Sequence, residues 1–73
     1  MKSYFSKVLS ELMDKHNLSQ LKLSKILQIR QSTIHGWLID NRKPSYDNLK
    51  SLSDYFCVSA DFLLDTKFKS HSR

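Results

Sequence analysis

The side chains best suited to chemistry fall in one stretch, Leu18 to Pro44, which reads LSQLKLSKILQIRQSTIHGWLIDNRKP. The amide of Gln31 donates and accepts at once, the pattern that matches N6 and N7 of adenine. Ser32 can contact several bases or a phosphate, and Thr33 offers a methyl for thymine and a hydroxyl for phosphate. Ser19 is a helix-capping residue type with Gln20 behind it. The backbone N–H groups of a helix start, joined by a side-chain amide, can hold a phosphate. For each of these residues the plain alternative is a polar side chain that only meets water.

Other chemistries lack their residues. His16, His35 and His71 lie far apart, with no Cys or carboxylate at metal-ligand spacing, and read as surface residues. Cys57 stands alone and reads as a small, partly buried residue of a turn. One glycine cannot build a Gly-rich phosphate loop. Serines are abundant, but many sit where capping is sufficient use. No enzyme activity, metal, cofactor or small-molecule ligand is expected.

The elements that position these side chains belong to one small domain of 73 residues. Apolar residues make up 40% and are spread along the chain, which favours folding over disorder. The net charge of +5 is unevenly placed. Residues 15–43 carry Lys15, Lys22, Lys25, Arg30, Arg42 and Lys43 against Asp40 alone. Residues 44–65 carry Lys50 against Asp47, Asp54, Asp61 and Asp65. The positive end coincides with the Leu18–Pro44 stretch and suits a polyanion such as DNA. No apolar run approaches the ~18 residues of a membrane span, and no signal-like start is present. With a single cysteine, a soluble cytoplasmic protein is expected.

Periodicity predicts helices throughout. Phe5, Val8, Leu9, Leu12 and Met13 recur at spacings of three and four, with Ser3 as N-cap and His16-Asn17 as the exit. Ser19 caps a two-turn helix carrying Leu21, Leu23, Ile26 and Leu27, and Gln28-Ile29 makes the turn. A third helix, the one spanning about Arg30–Ile39, begins at Arg30 or Gln31 and is ended by Asp40-Asn41-Arg42-Lys43-Pro44. Ser45 caps a fourth, with Leu49, Leu52, Tyr55 and Phe56 as its buried face; Ser59 caps a short fifth over Ala60 to Leu64. Residues 1–65 are expected to form the domain, and 66–73 a flexible basic tail.

Several spaced elements now agree: Leu18-Ser19-Gln20, Leu23-Ser24, Ile29, Gln31-Ser32-Thr33-Ile34, Trp37, Arg42-Lys43-Pro44-Ser45, Leu49, Val58-Ser59 and Phe62-Leu63-Leu64. Together they closely resemble the Cro/phage-repressor-type helix-turn-helix family over roughly residues 5–65. The resemblance implies an all-α, compact five-helix lambda-repressor-like domain with the helix-turn-helix at helices two and three. It implies that Ser24 allows a close helix crossing and that Trp37 anchors helix three. It places Gln31 and Ser32 at the main base-reading positions, with Thr33 and His35 beside them. Ser19, Gln20, Lys22 and Arg30 fall near the phosphate track, and Asn41, Arg42 and Lys43 fall in the loop the family lays on the DNA backbone.

The chain departs from the family pattern in four places. Gln28 stands where Gly is common, which implies a looser turn. Leu38 and Asp40 replace Glu and Gly, so Leu38 is expected to be exposed or to face a partner. Gly36 sits mid-helix at a cost of roughly 0.5–1 kcal/mol relative to Ala. It either admits a close backbone approach or weakens base reading. The leading expectation is a sequence-specific regulator of a phage or bacterial operon, binding double-stranded operator DNA as a homodimer. The apolar cluster Phe62, Leu63 and Leu64, with Tyr55 or Phe68, is the candidate dimer surface; the plain alternative is that these residues close the monomer core. The alternative, kept open by Gly36, Leu38 and Asp40, is an antirepressor or antitoxin that grips a partner repressor protein.

Overall fold

The computed structural model describes residues 3–64. Its helices are α1 (Tyr4–Lys15), α2 (Gln20–Leu27), α3 (Gln31–Ile39), α4 (Tyr46–Phe56) and α5 (Ala60–Leu64). No strand occurs among the described residues. Serine hydroxyls cap four of the helix starts: Ser3 accepts from Ser6 N–H, Ser19 from Lys22, Ser45 from Asn48 and Ser59 from Phe62. Each bond satisfies one of the orphan N–H groups that a helix start leaves, and such caps contribute about 1 kcal/mol. The third helix begins at Gln31, one of the two starts expected, with Arg30 as N-cap and no side-chain cap.

Three helix ends share one device. Asn17, Gln28 and Cys57 adopt left-handed backbone, with φ of 55°, 57° and 58°. The next residue's N–H then reaches back to a carbonyl five residues earlier: Leu18 to Met13, Ile29 to Ser24, Val58 to Ser53. These are Schellman closures. Leu18, Ile29 and Val58 each pack against the core. The turn at Gln28 therefore closes fully without glycine, contrary to the expectation of a looser one. The hydrophobic contact of Ile29 offsets the unfavourable conformation of Gln28.

The core gathers Phe5, Leu9 and Met13 of α1, Leu23 of α2, Ile34 and Trp37 of α3, Leu52 and Phe56 of α4, and Leu63 of α5. α1 packs on α3 and α5, α2 on α3, and α4 on α5. Phe5 meets Trp37 edge to face at 5.9 Å between ring centroids, a favoured aromatic geometry. Ser24 is buried, and its Oγ donates to Leu21 O within α2 at 2.7 Å, so the close crossing leaves no unpaired hydroxyl.

Several expectations are corrected. Leu38 is 7% exposed and belongs to the core, whereas Ile39 is 54% exposed. Ile34, Trp37 and Leu38 form one stripe at spacings of three and four, which turns Ile39 outward. Leu38 is thus no partner surface. Tyr55 does not join the buried face of α4; it is 39% exposed, and Leu49, Leu52 and Phe56 take that role. Leu21 and Ile26 of α2 are exposed as well. Cys57 is exposed rather than partly buried. Of the expected dimer cluster, Phe62 is 46% exposed, Leu63 is fully buried in the core and so is no partner surface, and Leu64 is half-buried against the core. Phe68, the boundary at residue 65 and the tail 66–73 lie outside the described residues.

Candidate nucleic-acid interface

The stripe Ile34–Trp37–Leu38 fixes which side of α3 meets solvent. Gln31, Ser32, His35 and Ile39 are exposed, and at 3.6 residues per turn they share one face. Gln31, His35 and Ile39 follow one another at a spacing of four. Ile39 was not among the predicted site residues, although that spacing from Gln31 was the signal that could have found it. Thr33 is half-buried and stands off this face.

Gln31, Ser32 and His35 border a shallow, open depression whose opposite wall is Gln20 of α2. Across it, Gln20 Oε1 lies 3.3 Å from His35 Nδ1. The two helices are therefore joined at the surface by their polar side chains as well as below it by Ile34 and Leu23. Ser19 Oγ accepts the Lys22 N–H at 3.1 Å, so what it can offer an anion is its O–H. At the start of α3, the N–H groups of Thr33 and Ile34 already reach Arg30 O, at 3.0 and 3.3 Å. The N–H groups of Gln31 and Ser32 precede any such partner in the helix, and they lie beside the side chains that line the depression. Lys22 and Arg30 are exposed at the starts of α2 and α3.

The loop after α3 carries the remaining cations. Asn41 takes a left-handed conformation with φ of 57°. Its Oδ1 accepts the backbone N–H of Ser3 at 2.8 Å and lies 3.2 Å from Ser6 Oγ. Ser6 is fully buried and donates to the carbonyl of Trp37, one of the last carbonyls of α3, which the helix itself cannot satisfy. The start of α1 thereby holds the end of α3. Asn41, expected on the phosphate track, is exposed and anchors the loop through its side-chain oxygen.

Arg42 and Lys43 are exposed just beyond this anchor. Gly36 accepts two N–H groups at its carbonyl, from Asp40 at 2.9 Å and Arg42 at 3.2 Å. A Cβ on Gly36 would stand 3.0 Å from Arg42 Cδ. Gly36 is buried under the Arg42 stem, not exposed on the groove-facing side as its position in the helix suggested. The missing Cβ makes room for the Arg42 stem.

Among the described residues no helix is long and apolar enough to cross a membrane, and no group of His, Cys, Asp and Glu could hold a metal ion. A family model described as helix-turn-helix matches residues 9–63. No curated protein and no solved structure matches the chain.

Proposed function

We propose that this chain, which belongs to the Cro/phage-repressor-type helix-turn-helix family, is a sequence-specific regulator that reads an operator with α3 in the major groove. DNA-binding regulation is the coarse property of that family and of this chain. The finer reading rests on one observation: Gln31, Ser32 and His35 share the outward face of α3, and a cationic loop anchored by Asn41 flanks it. Gln31, Ser32 and His35 are the base readers in this reading, and Thr33, which stands off their face, is not. Ile39 adds an apolar contact for a sugar or a thymine methyl. Ser19, Gln20, Lys22, Arg30, Arg42 and Lys43 meet phosphates, which position the helix without reading sequence.

One helix of this length reads few bases, so a homodimer on a palindromic site fits this function. Exposed Tyr55 and Phe62 are the residues available to such a contact. The protein-gripping alternative drew on Gly36, Leu38 and Asp40. Leu38 is used in the core and Gly36 seats Arg42, which leaves Asp40 as its only support.

The test is fluorescence anisotropy with DNA from the protein's own upstream region against scrambled DNA, at two salt concentrations. Gln31→Ala is expected to weaken binding to the preferred DNA by about 1–3 kcal/mol and to leave scrambled DNA unaffected. Equal, salt-sensitive binding of wild type to both DNAs would reduce the interaction to charge attraction and overturn this reading.

A further inference from the structure

We infer that Gln20 is a positioning residue that fixes the tautomer of His35, so that His35 selects adenine or cytosine on one strand; this deepens the operator-reading function proposed above and rests on it. Gln20 heads α2 and His35 lies one turn into α3, yet Gln20 Oε1 and His35 Nδ1 are 3.3 Å apart. An amide oxygen only accepts. In the neutral ring the proton of this hydrogen bond therefore belongs to Nδ1, which leaves Nε2 as a lone-pair acceptor.

The consequence for recognition follows from the base edges. In the major groove adenine and cytosine present exocyclic amino donors, N6 and N4, whereas guanine and thymine present the acceptors O6 and O4. An acceptor at Nε2 pairs with the first two and is repelled by the second two. An imidazole with no partner at Nδ1 adopts either tautomer and discriminates poorly. Both residues border the same open depression with Gln31 and Ser32, so the ring sits among the other base readers. The bond also commits the Gln20 oxygen to the ring and leaves its NH2 as the group for a phosphate. A single amide thus couples the helix that positions to the helix that reads.

The experiment is selection of binding sites from a random duplex library by the full chain at pH 8. Wild type, Gln20→Ala, Gln20→Glu and His35→Ala are compared, with folding checked by circular dichroism. The wild-type motif is expected to hold one column in which adenine or cytosine exceeds guanine or thymine by about 3- to 10-fold, the value of one hydrogen bond. His35→Ala flattens that column alone. Gln20→Ala drives it toward equality and leaves the other columns intact. Gln20→Glu, whose carboxylate also accepts from Nδ1, keeps the preference while lowering affinity overall. A motif with no column that depends on His35, or a Gln20→Ala variant that keeps the preference, overturns this inference and leaves operator reading standing. No wild-type motif at all overturns both.

Discussion

Gly36→Ala sets two terms against each other, and the structure says which should win. Alanine is favoured over glycine in a helix interior by roughly 0.5–1 kcal/mol. Against this, the new Cβ would stand 3.0 Å from Arg42 Cδ, so one of the two must yield by a few tenths of an ångström. Arg42 is exposed, and the atom approached belongs to a long side chain with several rotatable bonds. Its stem can swing into another rotamer at little cost, although its backbone N–H stays on Gly36 O. The net effect is therefore stabilising by about 0.5–1 kcal/mol, or about 2–8 °C in Tm for a domain of this size. The same swing moves the guanidinium off the phosphate track, so DNA affinity should fall about two- to tenfold, the scale of one charge-assisted contact. Calorimetry and anisotropy on Gly36→Ala, Arg42→Ala and the double variant separate the terms. With Arg42 truncated, Gly36→Ala should keep its stabilisation and lose its effect on binding. A fall in Tm that vanishes in the Arg42→Ala background would refute the claim that the stem can move. A raised Tm with unchanged affinity would refute the phosphate role of Arg42.

Gln28→Gly should raise Tm in calorimetry by the equivalent of about 0.5–1 kcal/mol. It relieves a left-handed φ of 57° worth about 1–2 kcal/mol, less what glycine loses in unfolded-state entropy. Leu38→Ala should cost about 2–5 kcal/mol in urea unfolding, and Ile39→Ala less than about 0.5 kcal/mol; equal losses would mean that the facing of α3 is misassigned. Lys43→Ala should make the slope of log K against log salt less negative by about 1 and leave Tm unchanged. An unchanged slope would remove Lys43 from the phosphate track.

What could be read from the chain alone was what depends on near neighbours. Serine caps at Ser3, Ser19, Ser45 and Ser59 act over three residues, and each forms as read. Apolar spacing placed the helices within a residue or so of their bounds, and the cation-rich stretch coincided with the α2–α3 pair and its loop. The facing of α3 was less secure. In QSTIHGWLI apolar residues crowd the C-terminal half, and whether Leu38 or Ile39 turns inward depends on where Trp37 meets Phe5 of α1. The left-handed conformations of Gln28 and Cys57 were equally hidden, because nothing in either residue type asks for one. Docking of Ile29 and Val58 on the core imposes them. Two further features join residues remote in sequence, Asn41 to Ser3 across 38 positions and Gln20 to His35 across 15, and a third seats Gly36 beneath the stem of Arg42 once the loop after α3 folds back. Local pattern specifies caps, periods and charge because those energies are short-ranged along the chain. Which side chains share the reading face, and how the loop beside it is held, was decided only when distant segments packed together.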